Sequence, residues 1–264
     1  MKKYTTLIKA FWQRALHYRF TVFAYRVGEV AEVLILILMW TTIYAGQSSI
    51  KGFTLQEMIT YILIGNVFNG IVRNWLSGMV ASDINEGRLS MFLVKPMSYL
   101  SYVCTKEIGR ITLPVLMSVL SQILVILCFS NTFIWNLDWG YVLVISAMIG
   151  LAFISELLLS YLVGLVAFWT DEVDGLYTTM ERIKKFFSGG YFPLTLLPAV
   201  FVQISFFLPF AYSFFIPAQI YLKKMDLSVG VYGLGVQVVW IAILYGVIRI
   251  VWRRGLRRYE ATGI

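Results

Sequence analysis

The sequence predicts an all-α polytopic membrane protein with six transmembrane helices, and three observations carry that prediction. Apolar residues make up 59% of the 264 residues and charged residues 14%, whereas soluble domains hold about 45–50% and about 25%. A water-facing surface cannot be assembled from that mixture. Several stretches run for about 20 residues with hardly a charge, the length needed to cross a hydrocarbon core of ~30 Å. The basic residues that give the net charge of +8 gather at the ends of these stretches, so the charge reads as membrane topology and not as nucleic-acid binding.

Residues 2–19 form an amphipathic helix candidate. Tyr4, Leu7, Ile8, Phe11, Trp12, Ala15 and Leu16 fall on one arc, with Lys2, Lys3, Lys9, Arg14 and His17 opposite, a pattern that suits a helix lying in the membrane interface over residues 1–20 or one packed on another protein segment. No uninterrupted apolar run follows the lysine pair, so a cleavable signal is not expected. The spans then read 22–45, 54–78, 100–130, 139–169, 176–191 and 229–252. Between the fifth and sixth, residues 192–222 are apolar but broken by prolines, which excludes one straight helix. Cys104 and Cys128 fall near opposite ends of the third span, about 36 Å apart at 1.5 Å per residue, too far for an intrachain disulfide. With the N-terminus cytoplasmic, 19 of the 22 basic residues face the same side and only Lys51, Lys223 and Lys224 face the other. Both termini are therefore expected in the cytoplasm. No internal repeat is visible, which weighs against a repeat-built secondary transporter.

Few residues carry chemistry. Ser188-Gly189-Gly190 looks like an ATPase signature loop, but no Gly-Lys pair, and hence no phosphate-cradling G-x-x-x-x-G-K-[ST] loop, occurs in the chain. The tripeptide reads instead as a helix end, with Gly189, Gly190, Pro193, Pro198 and Pro209 as the breaks between span five and the short helices after it. Asp171, Glu172 and Asp174 form a carboxylate cluster that would suit Mg2+ in a lipid-headgroup enzyme, yet no second acidic motif completes a two-metal site. Glu156 lies near the middle of span four, where an unpaired charge costs about 2.5–3.5 kcal/mol on insertion scales. It is expected to be neutral, paired or facing a polar interior, with substrate contact and a structural bond to a neighbouring helix both open. Arg26 with Glu29, and Glu107 with Arg110, sit three apart and should pair locally. Arg249, Arg253, Arg254, Arg257 and Arg258 give span six a basic end suited to anionic headgroups, or to a protein partner.

The most informative polar stretch lies between spans two and three, over residues 80–98. Asp83 and Glu86, the glycine at 87, Arg88, then Leu89, Phe92 and Leu93 are closed by Lys95-Pro96. Asp83 is a candidate cap for a short surface helix, and Pro96 blocks its continuation. "DINEGRLSMFLVKPMSY", with "FWTDEVDGLYTTM", "FFSGGYFPLTLLP" and "FLPF" further on, resembles the ABC-2-type permease family, the membrane subunits of ABC exporters. The likeness is to the branch of about 260-residue permeases whose ATPase is a separate chain, and it runs over nearly the whole sequence as one permease domain.

That resemblance implies that Asp83, Ile84, Glu86, Gly87, Arg88, Leu89, Leu93 and Pro96 form a coupling helix that docks on the ATPase, with the N-terminal helix as a second contact. Residues 192–222 would be re-entrant helices shaping an outer gate. It also implies two ABC ATPase subunits and a second permease, identical or homologous, in the cytoplasmic membrane of a prokaryote, surrounded by lipid. The chain would have no catalytic residue, metal or cofactor of its own, ATP and Mg being held by the ATPase. The alternatives from other classes are the lipid-headgroup enzyme built on Asp171, Glu172 and Asp174, and a gradient-driven transporter or channel.

Overall fold

The computed structural model describes residues 19–259, all of whose regular structure is helical. The amphipathic helix expected over residues 2–19 lies outside them, save for its last residue. Ten α-helices are described: α1 (Arg19–Ile43), α2 (Leu55–Val72), α3 (Leu76–Asn85), α4 (Ser90–Leu93), α5 (Tyr99–Cys128), α6 (Trp139–Leu165), α7 (Asp174–Phe187), α8 (Ala199–Phe207), α9 (Phe215–Tyr221) and α10 (Leu227–Arg258). Among the described residues four stretches are long and apolar enough to cross a membrane: Leu55–Asn85, Tyr99–Cys128, Trp139–Phe168 and Leu227–Arg258. The helix α1 has the length, at 25 residues, but carries Arg26, Glu29 and Glu32 in its first half. Where a fifth span was expected over 176–191, α7 has only 14 residues, about 21 Å at 1.5 Å per residue. It carries Glu181, Arg182, Lys184 and Lys185, so its structure is that of a short, charged, amphipathic helix.

Several ends follow from local chemistry. Thr54 and Glu57 form a capping box at the start of α2, and the Asp138 carboxylate accepts from the Gly140 N–H at the start of α6. After α7 the chain turns at Gly189, whose φ is +81°, a conformation that costs little only for glycine; its carbonyl accepts from the Tyr61 hydroxyl at 2.7 Å. Pro198 and Leu208 bound α8, and a 3-10 turn, Pro209–Ser213, leads to α9.

The second expected span, 54–78, is not one helix. It breaks at residues 73–75 and resumes as α3. No proline causes the break; other parts of the molecule accept the backbone groups it frees. The Trp75 N–H donates to the Glu107 carboxylate of α5 at 2.9 Å, the Leu76 N–H to Asn74 Oδ1, and the Ser77 N–H to Ser160 Oγ of α6. Irregular backbone among membrane helices is stable only when protein satisfies it in this way.

Two apolar cores result. One joins the end of α1, α2, the end of α5, the first half of α6 and residues 211–220. The other joins α3, the start of α5, the second half of α6 and the last part of α10. The chain passes from the first to the second between Val72 and Leu76, and again between Ala152 and Leu157. Arg73, Asn74 and Glu156 fall in those two gaps, so the charged residues of the helices collect at a seam between the cores.

Candidate functional site: a charged seam and a surface ridge

The seam is held by ion pairs that join helices far apart in sequence. Lys184 of α7 lies between Glu156 of α6 and Glu181, bonded to both. Its neighbour Lys185 pairs with Glu32 of α1. Glu29 of α1 accepts from Arg26 and from Ser118 Oγ of α5, with Arg73 3.7 Å away. Glu107, fully buried, accepts from Arg110 at 2.7 Å as well as from the Trp75 backbone. The local pairs Arg26–Glu29 and Glu107–Arg110 expected from their spacing are thus present. Glu156 is paired, and its partner lies on another helix. Lys184 and Lys185, which count among the 19 basic residues expected on the cytoplasmic side, each pair with a carboxylate of another helix.

Beside these pairs lies a cavity of about 350 Å³ bordered by Asn66 and Asn69 of α2, by Arg73 just after it, by Glu156, and by Arg182 and Lys184 of α7. It adjoins a second, of about 480 Å³, which shares Arg73 and Tyr177 with it and reaches Glu29 and Arg110. Asn66 and Asn69 are three apart on α2 and Arg73 caps its end, so one polar stripe faces the cavity from a helix otherwise largely apolar. Arg73 is 61% exposed, and Arg182 makes no ion pair within 4 Å among the described residues. The result is a polar cleft among apolar helices, where paired charges set its walls and two guanidiniums face its space. Sequence reasoning singled out Glu156 here and missed Arg73, Arg182 and Lys184. The available signal was the polar recurrence at 66, 69 and 73 inside an apolar stretch.

The stretch 80–98 folds as the end of α3, a turn, and α4. Asp83 does not cap a new helix; it sits in the last turn of α3 and points inward, 3% exposed. Its carboxylate accepts from the Tyr99 hydroxyl at 2.9 Å and from Arg88 Nε at 3.0 Å. Arg88 also bonds Glu86 and Ser82. Gly87 follows α3 with φ +73°, the left-handed turn that ends many helices. Ile84 and Leu89 are buried in the second core, and Pro96 lies between α4 and α5. What remains outside is a ridge of Met91, Leu93 and Val94, the last 84% exposed, beside the charged Glu86 and Lys95. Met91 and Val94 were not among the residues expected to make contact, whereas Asp83 was and is turned away.

Asp171 and Glu172 stand exposed in the turn before α7 and Asp174 is exposed at its first residue, and Asn85 Nδ2 donates to the Asp171 carbonyl at 2.9 Å. Among the described residues no three His, Cys, Asp or Glu side chains are grouped to hold a metal ion. Cys104 and Cys128 are free thiols.

Compared with known proteins, residues 30–263 match a family model described as "ABC-2 family transporter protein". No curated protein matches the chain.

Proposed function

The chain belongs to the ABC-2 transporter family, a family of multi-pass membrane subunits that are not themselves catalytic and that work with ABC ATPases, and we propose that it is the permease of an ATP-driven exporter with its ATPase on a separate chain. The observation that carries the reading is the family match over residues 30–263, which spans both the surface ridge and the charged cleft. In this reading α1 is a fifth crossing, α7 makes the sixth only together with residues 192–222, the re-entrant helices of an outer gate, and both termini are cytoplasmic. Two permeases, identical or homologous, would share the path in a prokaryotic cytoplasmic membrane, and two ATPases would hold ATP and Mg.

The ridge of Glu86, Met91 and Val94 supports a docking role, because its apolar side chains are exposed while Asp83, Ile84 and Leu89 anchor it from behind. Movement of the ridge would pass to α5 through Tyr99 and to the cleft through α3, whose first turn is capped by Glu107 and Ser160. ATP-driven closure shifts the helices only if the two ATPase states bind the ridge with different affinity. The cleft supports a path for a polar or charged group, since its walls remain polar when the substrate leaves.

Affinity capture of the full chain from its native membrane tests the reading. A Walker-motif ATPase should co-purify, and its turnover should respond to the permease after reconstitution. Flux driven by an ion gradient through the chain alone, with no ATPase bound, would overturn it.

A further inference from the structure

A further polar opening lies away from the seam, between the α4–α5 linker and the second half of α10. It is a groove of about 340 Å³ lined by Phe92, Lys95, Tyr99, Tyr245, Arg249 and Trp252, among others, a size at the low end of the ~300–1,000 Å³ typical of small-ligand sites. Its wall is aromatic. Tyr99 and Trp252 are stacked at 5.5 Å with planes 16° apart, and Phe92 tilts against Tyr99.

Two cations stand at its rim, Lys95 with Nζ 4.4 Å above the Phe92 ring and Arg249 with its guanidinium 5.6 Å from the Tyr245 ring. Neither has an acidic partner within 4 Å among the described residues, and no carboxylate lines the groove. Asp83, bonded to the Tyr99 of its wall, is already held by that hydroxyl and by Arg88. The groove therefore carries two positive charges with no carboxylate among its lining residues, unlike the seam, where Lys184, Lys185 and Arg110 are each paired with a carboxylate.

We propose that this groove binds the phosphate of an anionic phospholipid, with Lys95 and Arg249 on the phosphate and the aromatic wall against the glycerol and upper acyl carbons. Three features select a bilayer lipid over a soluble anion. The groove opens along α10, a helix long enough to cross a membrane. Beside it on α10, Val247 and Ile250 present exposed apolar side chains. One turn further on, Arg253, Arg254, Arg257 and Arg258 mark the level where the helix leaves the hydrocarbon. A lipid bridging Lys95 and Arg249 ties the segment after α4 to α10, so headgroup charge controls how freely the ridge moves. The binding itself does not depend on the ATPase assignment.

The test uses the full chain in lipid nanodiscs, with bromine-labelled phosphatidylglycerol or bromine-labelled phosphatidylcholine as quencher of tryptophan fluorescence. Phosphatidylglycerol should quench more strongly, and Trp252→Phe should remove the excess. Lys95→Gln and Arg249→Gln, both at exposed positions, should each lower the preference about fivefold, the ~1 kcal/mol a Lys or Arg contributes near an anionic headgroup. Arg257→Gln/Arg258→Gln should leave the preference within about twofold, inside the ~0.5 kcal/mol spread of remote surface changes. Equal quenching by the two lipids overturns the site. So does loss of the preference in the Arg257/Arg258 variant, which would mean diffuse surface attraction, or removal of the excess by inorganic phosphate at constant ionic strength, which would mean a free-anion site.

Discussion

Two buried carboxylates show how differently this chain holds charge. Asp83 takes its partners from the next 16 residues, a guanidinium and a phenol that close one turn of chain upon itself. Glu156 takes its partner from another helix, 28 residues away, and shares it with Glu181. The first arrangement fixes the shape of a surface segment. The second ties α6 to α7 across a polar cleft, and the matching Lys185–Glu32 pair ties α7 to α1. A locally closed cluster can move as a body, while a bridging pair must break or travel when helices separate. The ridge is thus built to stay rigid and the seam to rearrange.

The largest effect is expected where the bridge is cut on one side. Lys184→Leu leaves Glu156 and Glu181 facing each other without a countercharge, and should cost about 3–5 kcal/mol, the usual result of removing one partner of a buried pair. Thermal unfolding in detergent measures it. The comparison is sharpened by Glu156→Leu/Lys184→Leu, which should recover most of the loss, because a matched apolar pair replaces a matched ionic one. If the double variant is as unstable as the single, the pair is not what joins α6 to α7.

The local cluster should yield less. Tyr99→Phe removes one hydrogen bond to a buried carboxylate that keeps Arg88, so about 1.5–3 kcal/mol is expected. It also keeps the ring stacked on Trp252, so loss of stability reports the hydroxyl alone. A change as large as that for Lys184→Leu would mean that Asp83 depends on Tyr99 more than on Arg88. Gly87→Ala tests the turn between α3 and α4. An alanine held at φ +73° costs about 1–2 kcal/mol, and a smaller effect would show that the segment relaxes out of its left-handed turn.

The same contrast explains what the sequence disclosed. Arg26–Glu29 and Glu107–Arg110 were readable because helical spacing alone brings them together. The breaks around residues 188–209 were readable because Gly189, Pro198 and Pro209 act on the backbone where they stand. The break at 73–75 was not, since Arg73-Asn74-Trp75 contains no breaker, and the acceptors that stabilise it sit on α5 and α6. Lys184 was read only as a charge that sets topology for the same reason: its pairing with Glu156 is visible only once α6 and α7 are side by side. Asp83 was expected to cap a surface helix and, from the family resemblance, to contact the ATPase, and Tyr99, just before the span read as 100–130, gave no sign of its hydroxyl's role.

The smallest change in stability belongs to the ridge, and it bears on the proposed role most directly. Met91 and Val94 are exposed and touch little else, so Met91→Ser/Val94→Ser should shift unfolding by no more than about 0.5 kcal/mol for each substitution. Should the ridge dock on an ATPase, the same pair of serines would remove the apolar centre of that contact and lower co-purification and ATPase stimulation about tenfold or more, the effect of losing ~1.4 kcal/mol or more of binding. Asp83→Asn gives the opposite pattern, with folding weakened through Arg88 and Tyr99 while the exposed ridge keeps its side chains. If the serine variant retains full stimulation and Asp83→Asn loses it in a folded protein, the contact lies on the inner, charged side of the segment. The rigid element would then be the interface itself instead of its support.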